Sequence, residues 1–207
     1  MSHKFFDLTF TESVKKAQEK YGSRRNYARF EGGQPDFYGL MDAERDFIEQ
    51  RDGFYLATAG ENGQPYIQFR GGPPGFLKVL DDQTLGFADF RGNLQYISVG
   101  NLSMNKKAAL FLMDYANQRR LKILAEVEVK DARDAPELIE KLAVPDYKAK
   151  VERAMILHLE AFDWNCPQHI TPRYTMEEIR QMIAPMNEHI ARLEKEIEDL
   201  KAKKRDT

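Results

Sequence analysis

Short polar connections between apolar runs constrain the fold of this chain more than any other feature. Asn62-Gly63 is a strong hairpin signal, because both residues accept the left-handed backbone that a two-residue turn requires. The predicted strands are residues 53–59, 66–69, 76–80, 84–90, 107–115, 119–129 and 154–162. Only one helical crossover, at residues 94–103, is predicted among them. This order favours an antiparallel barrel over a doubly wound parallel sheet.

A glycine- and proline-rich segment, residues 71–75, interrupts two of these runs. Proline cannot donate to a sheet ladder, and glycine lets a ligand approach the main chain closely. Arg70 and Lys78 stand on either side, and their cationic groups suit phosphate oxygens. The segment therefore suggests a phosphate site, with an ordinary hairpin turn between two solvated cations as the alternative.

The charges of the chain nearly cancel. There are 31 Lys and Arg residues against 33 Asp and Glu residues, and the sequence pI is about 6.1. Such a chain lacks the basic field that attracts nucleic acid. We therefore expect no nucleic-acid partner, and any bound anion must be held locally.

The cysteine count and the lengths of the apolar runs exclude several further classes of protein. Cys166 is the only cysteine in the sequence, which excludes an internal disulfide and a multi-cysteine metal site. The first residues lack the apolar core of a signal peptide, and no stretch approaches the roughly 18 apolar residues of a membrane helix. We expect a cytoplasmic protein with no membrane role and no bound metal.

Helices are predicted around the barrel. Thr11 is a candidate N-cap for a short helix at residues 11–21, and Asp42 is a candidate cap for an amphipathic helix at residues 42–51. Residues 135–142 predict a surface helix. The expected domains are an N-terminal arm at residues 1–40, a barrel domain at residues 41–174 and a C-terminal helix at residues 175–207.

An apolar heptad pattern marks the C-terminal helix. Its members are Ile179, Ile183, Met186, Ile190, Leu193, Ile197 and Leu200. Alternating steps of four and three residues are typical of a coiled-coil seam. Pro185 is expected to kink the helix or mark its start. The charged outer face favours an exposed oligomerisation helix and hence a homodimer, with a helix folded back on its own barrel as the alternative.

Four segments carry a resemblance to a known family. They are Phe54-Tyr55-Leu56-Ala57-Thr58, the run from Pro65 to Lys78, the run from Gly86 to Asn93, and the run from Asp163 to Ile170. Together they resemble the predicted flavin-nucleotide-binding proteins related to pyridoxamine 5'-phosphate oxidase. The resemblance implies a mainly β fold: a six-stranded antiparallel split β-barrel with flanking helices. It also implies a homodimer with two FMN molecules at the subunit interface.

The resemblance carries over several cofactor-binding residues. Arg70 and Lys78 look like the basic residues that the oxidases place near the flavin, with Gly71 and Gly72 between them. Phe87-Ala88 matches an aromatic-threonine pair, so Asp89 or backbone amides would replace the missing hydroxyl. These positions are expected to contact FMN.

A second group of residues follows the matched strand. Arg91 and Asn93 precede a helix whose N-terminus would attract phosphate. Arg120 is the candidate for the isoalloxazine edge, and Trp164 is a candidate to stack near the flavin. His169 and Arg173 are candidates to meet substrate.

The function implied is less specific than the fold. The Arg-x-His-Asp-Arg run with which true oxidases bind substrate is not found in this chain, so oxidation of vitamin B6 is not implied. We expect an FMN-dependent oxidoreductase acting on an unidentified small molecule. The alternatives are a non-catalytic protein that stores or senses FMN, and a barrel that holds haem or a deazaflavin.

Overall fold

The computed structural model describes residues 3–31, 38–164 and 166–205. The strands are β1 Gly53–Ala59, β2 Pro65–Gly71, β3 Lys78–Val79, β4 Thr84–Phe90, β5 Lys107–Asp114, β6 Arg119–Asp131 and β7 Val151–Trp164. The helices are α1 His3–Thr9, α2 Glu12–Lys20, α3 Arg24–Ala28, α4 Asp42–Glu49, α5 Ile97–Met104, α6 Pro136–Leu142 and α7 Met176–Arg205.

The strands form one antiparallel sheet in the order β2-β1-β5-β6-β7-β4-β3. Alternate residues face inward, as fully buried Leu56 of β1 and Leu110 of β5 illustrate. The ring centroids of Phe54 on β1 and Phe87 on β4 lie 5.3 Å apart, although these strands are not neighbours in the sheet. The sheet therefore curls around one core, while its edge strands β2 and β3 stay unpaired with each other. This is the antiparallel barrel that the sequence predicts, in the split form that the resemblance implies.

The strand count differs from the prediction. The resemblance implies a six-stranded barrel, whereas the described chain has seven strands, which match the seven apolar runs of the sequence. Strand β3 lies within the predicted run 76–80 but is only two residues long, pairing Lys78 with Gly86 and Val79 with Leu85. It is short because the glycine- and proline-rich segment occupies most of the connection from β2, and a turn begins directly after Val79.

The start of α4 also differs from the prediction. The N-cap is Met41 rather than Asp42. The Glu44 carboxylate accepts a hydrogen bond from the Met41 backbone N–H at 3.2 Å. Glu44 is buried despite its charge. A buried carboxylate therefore stabilises the start of α4.

Three short helices form the described part of the N-terminal arm. The Thr11 hydroxyl accepts a hydrogen bond from the Val14 N–H at 3.4 Å, which confirms the predicted N-cap. Phe5 and Phe6 of α1 pack with Ala161 of β7 and Leu124 of β6. The arm therefore covers the outer face of these two strands.

The chain has two compact units, residues 1–114 with 119–168, and residues 115–118 with 169–207. In the second unit, Gln118 Nε2 donates a hydrogen bond to the Ile170 carbonyl at 2.6 Å. Pro185 lies inside α7 rather than at its start. The apolar side chains along α7 are exposed.

No helix within the described ranges combines the length and the apolar character needed to cross a bilayer.

Candidate functional site

A recess in the first unit collects polar side chains from β2, β4, β7 and the start of α5. Its lining consists of Gln68, Arg70, Asp89, Phe90, Gly92, Asn93, Leu94, Tyr96, Ile97, Ser98, Val99, Glu152 and Arg153. Strands distant in sequence thus deliver charged groups to one place.

Asp89 is the buried centre of this recess. Its Oδ1 accepts a hydrogen bond from Arg70 Nη1 at 2.6 Å, and its Oδ2 accepts one from Arg153 Nε at 2.8 Å. Arg153 also donates to Glu152 at 3.0 Å, and the other oxygen of Glu152 lies 3.6 Å from Arg91 Nε. Three guanidinium groups therefore face two carboxylates, which leaves a surplus positive charge.

The pKa of Arg153 is raised above its ordinary value. Burial acts in the opposite direction, because it disfavours the charged form. The hydrogen bond and charge of Asp89, together with those of Glu152, outweigh burial and raise the pKa. Arg153 therefore keeps its charge throughout the pH range in which a protein is folded.

The loop leading into α5 has a strained backbone. Leu94 and Tyr96 have φ values of 63° and 53°, in the left-handed region that non-glycine residues rarely adopt. Two side-chain hydrogen bonds then fix the helix. Ser98 donates to Gln68 of β2 at 3.2 Å, and Asn101 donates to Thr58 of β1 at 3.0 Å. The first turn of α5, with its partial positive charge, is thereby held at the recess.

Two buried side-chain nitrogens in the described part of the chain lack a hydrogen-bond partner, Arg70 Nε and Arg120 Nε. A buried donor without an acceptor costs about 1–3 kcal/mol, so such atoms are rare in folded proteins. Arg70 Nε belongs to the recess. Arg120 alternates with buried Leu121 on β6, so it lies on the outer face of the barrel.

Several residues predicted from the sequence meet at the recess. Arg70, Asp89 and Asn93 line it, and Arg91 joins the ion-pair cluster through Glu152. Asn93 Oδ1 accepts a hydrogen bond from the Gln95 N–H at 3.2 Å, which shapes the loop before α5. The residues at 89–93 that were predicted to bind phosphate therefore lie close together.

Lys78 and the glycine pair lie apart from this cluster. Lys78 Nζ donates to the carbonyls of Lys141 and Ala143 at 3.1 and 2.8 Å. Lys78 thus binds the C-terminal end of α6. The Gly72 N–H donates to the Asp52 carbonyl at 3.0 Å.

Gly72 has a packing reason to be glycine, since an added Cβ would lie 2.7 Å from Phe76 Cγ. Gly71 ends β2, paired with Gly53 of β1. Neither glycine lines the recess. Of the two cations that flank the glycine- and proline-rich segment, only Arg70 reaches the buried carboxylate.

The aromatic candidates belong to the core. Phe87 is buried in the main cluster and Ala88 in a second cluster beside α6. Trp164 Nε1 donates to Glu44 at 2.6 Å, and its ring contacts Phe47 edge to face at 4.8 Å. In this chain Trp164 therefore connects the end of β7 to α4.

The two substrate candidates lie in the second unit. His169 has a φ of 64°, which places it in the left-handed region. The Arg173 guanidinium lies over the Tyr115 ring, 4.9 Å from its centroid. Neither residue lines the recess.

The sequence prediction missed Arg153, which completes the cluster. Arg153 is the cross-strand partner of Asp89 in the pairing of β4 with β7. Its segment shows no motif, and its role depends on a strand register that the sequence alone does not reveal. Gln68 and Ser98 were also missed, because their contact depends on how α5 packs against β2.

A sequence model of the family described as pyridoxamine 5'-phosphate oxidase matches residues 40–164, more than half of the chain. The chain belongs to this family. The matched residues run from the start of α4 to the end of β7 and contain the whole recess. Among curated proteins, none matches the sequence.

Solved structures similar to the chain share little sequence with it. An FMN-binding protein from Syntrophomonas wolfei is 15% identical with a TM-score of 0.48, covering 75% of this chain and 96% of that one. A protein of the pyridoxinephosphate oxidase family from Clostridium acetobutylicum, related to general stress protein 26, is 18% identical with a TM-score of 0.44, covering 65% and 92%. An F420 reductase is 17% identical with a TM-score of 0.43, covering 60% and 98%. At this similarity, none of the three assigns a ligand or an activity to this member of the oxidase family.

Proposed function

We propose that this member of the pyridoxamine 5'-phosphate oxidase family binds FMN with the phosphate in the recess, and that it acts as a homodimeric oxidoreductase on a small molecule. The observation that carries the proposal is the unpartnered Arg70 Nε beside a cluster with surplus positive charge. A phosphate oxygen would supply both the missing acceptor and the missing negative charge.

The donor set of the recess suits a phosphate group. Asp89 engages one nitrogen of Arg70 and holds Arg153 beside it. The guanidinium of Arg70 is thereby oriented while other donors stay available. The amide groups of the first turn of α5 add a second attraction for an anion. Arg91, whose side chain is 47% exposed, would close over a bound phosphate from the solvent side.

FMN, when bound, supplies the hydride and electron-transfer chemistry, while the protein binds and orients it. Arg120 is our candidate for the ring edge, because its buried Nε is the second unpartnered donor. Its cross-strand partner is Met113 of β5, a strand whose outer face belongs to the proposed dimer interface, so this position suits a flavin held between two subunits.

The proposed dimer interface is the outer face of β2, β1 and β5. Two rows cross these strands, Phe69, Tyr55 and Phe111 in one and Ile67, Ala57 and Ala109 in the other. Phe69 is 57% exposed and Ile67 is 61% exposed. Exposed apolar faces of this kind mark interaction sites. The arm covers the neighbouring face of β6 and β7, so this uncovered part is the face proposed for a second copy.

The substrate side of the proposal rests on His169 and Arg173, which follow the matched segment. A cationic side chain there would favour an acidic or otherwise electron-rich small molecule. Replacing each residue singly should change turnover without changing FMN affinity.

Absorption spectra and ligand titrations test the cofactor. We expect flavin bands in the purified protein, and tighter binding of FMN than of riboflavin, which lacks the phosphate. Arg70→Ala should weaken FMN binding by about 10- to 100-fold, the worth of one charge-assisted hydrogen bond, and leave riboflavin binding nearly unchanged. Arg25→Ala removes an exposed arginine of α3 and is the matched control. Equal affinities for FMN and riboflavin in the parent protein would refute the phosphate assignment.

Anaerobic titration with NADH and NADPH tests the activity. Bleaching of the flavin bands by one nucleotide would support an oxidoreductase. Bound flavin that neither nucleotide reduces, and that no other reductant turns over, would favour storage or sensing of FMN.

A further inference from the structure

Helix α7 carries a regular apolar stripe that the described fold leaves exposed. In a heptad with Ile183 at position a, the a positions are Met176, Ile183, Ile190 and Ile197, and the d positions are Ile179, Met186, Leu193 and Leu200. These side chains are between 37% and 66% exposed. Such a stripe along about 36 Å of helix calls for a partner of matching length.

We propose that α7 pairs with α7 of a second copy as a parallel, in-register, two-stranded coiled coil. The stripe identifies the occupant, because β-branched residues at a combined with leucine at d favour two parallel strands. From Ile183 to Leu200 every a position is isoleucine, and the d positions are methionine or leucine. A groove on an unrelated protein would not require isoleucine at position a and methionine or leucine at position d.

The charges beside the stripe favour the parallel orientation. In a parallel pair, position g of one helix faces position e of the next heptad on the other helix. Glu196 at g would then face Lys201 at e, an attractive pair that occurs twice by symmetry. An antiparallel pair that aligns the same apolar layers would instead bring Lys201 near Arg180 twice. Like charges therefore disfavour the antiparallel form.

Local features of α7 are compatible with the pairing. Thr175 and Glu178 form a reciprocal cap, with the Thr175 hydroxyl accepting from the Glu178 N–H at 3.1 Å and the Glu178 carboxylate accepting from the Thr175 N–H at 2.7 Å. Pro185 occupies position c, on the side of the helix away from the stripe. The helix thus has a defined start, and its proline does not interrupt the apolar layers.

Disulfide trapping in the full-length protein tests the proposal. In a Cys166→Ser background, which removes the exposed native thiol, Leu200→Cys should form an intermolecular disulfide rapidly under mild oxidation. Lys195→Cys, at outward-facing position f, is the matched control and should crosslink at least tenfold more slowly. An antiparallel pair would hold the two copies of position 200 about 36 Å apart, too far to join.

A second substitution shows whether the stripe itself brings the thiols together. Adding Leu193→Asp to the Leu200→Cys protein should lower the crosslinking rate at least tenfold, because it places a charge in the apolar layers. Adding Lys195→Asp introduces the same carboxylate at position f and should leave the rate unchanged. Equal rates for the position 200 and position 195 thiols, or no effect of Leu193→Asp, would overturn the proposal. Crosslinking is read without reference to flavin, so its outcome is separate from that of the FMN titration.

Discussion

Two arginine–carboxylate clusters in this protein contrast in how completely their donors are used. Arg24 of α3 and Glu31 pair side by side, with Arg24 Nη1 donating to one carboxylate oxygen at 2.7 Å and Nη2 donating to the other. Arg70 and Arg153 instead share the single carboxylate of Asp89. Lys15 lies 3.7 Å from Glu31 and 3.6 Å from Glu12, so the first cluster has two cations and two carboxylates and is matched in charge. The second cluster keeps a surplus cation and an unpartnered donor.

The difference separates a structural ion pair from the proposed phosphate site. A matched bidentate pair offers little to a ligand, because an incoming anion would have to displace a carboxylate that already fits. A shared carboxylate orients two guanidinium groups without saturating them. The recess is therefore equipped for an anion, while the pair at Arg24 stabilises the arm.

The largest effect is expected for Asp89→Asn, which keeps the size of the side chain and removes its charge. Two buried guanidinium groups would then face each other with less compensation, and the protein should lose about 3–5 kcal/mol of folding free energy. Chemical denaturation measures the loss. Glu31→Gln is the matched control and should cost much less. Similar losses of folding free energy in the two variants would contradict the distinction between the cluster at Asp89 and the pair at Glu31.

An anion should partly rescue the Asp89→Asn protein. A phosphate in the recess would replace the lost negative charge, so saturating inorganic phosphate should raise the melting temperature of this variant more than that of the parent. Potassium chloride at equal ionic strength is the control. Equal responses to both salts would show that the recess does not select phosphate.

A smaller effect is expected for Arg120→Gln. If Arg120 binds the ring edge, the variant should bind both FMN and riboflavin about tenfold more weakly, because the ring is common to both. Lys122→Gln is the neighbouring control on the same face of β6, where Lys122 pairs with Asp163 at 2.7 Å. Loss of FMN affinity alone, or equal losses in both variants, would argue against the ring-edge role.

The smallest effect is expected from the pH dependence of the Arg24–Glu31 pair. The hydrogen bond from Arg24 holds the pKa of Glu31 below its ordinary value of 4.5. A depressed carboxylate pKa contributes stability that is present above the unfolded-state pKa and is lost as the pH falls through the folded-state pKa. The difference in melting temperature between parent and Glu31→Gln should therefore be constant near neutral pH and shrink below about pH 4.5. A difference that persists into strong acid would assign the effect to packing.

The sequence predicted local elements better than it predicted which side chains meet. The Asn62-Gly63 turn and the alternating runs placed the strands correctly, because turn chemistry and side-chain alternation are local properties. Strand β7 is longer than predicted because its ends gain pairing partners, Phe90 on β4 and Leu121 on β6. Such extensions depend on tertiary pairing.

The candidate site shows the same division. Arg70 and residues 89–93 were recognisable as a set because they belong to short motifs. Arg153 was not, because its place depends on the register between β4 and β7. Lys78 looked equivalent to Arg70 in the sequence, yet it binds the carbonyls that end α6, 63 and 65 residues further along the chain.

The bond between Arg70 and Asp89 has one more consequence. It joins β2, an edge of the sheet, to β4, near the opposite edge, across the gap that hydrogen bonding leaves open. It therefore holds the two sides of the split barrel together. Occupation of the recess should stabilise the closed form of the barrel in which Arg70 and Asp89 are paired. Amide hydrogens at the Arg70 end of β2 would then exchange with solvent more slowly when the ligand is bound. Ligand binding and opening of the barrel between β2 and β4 would then be thermodynamically linked.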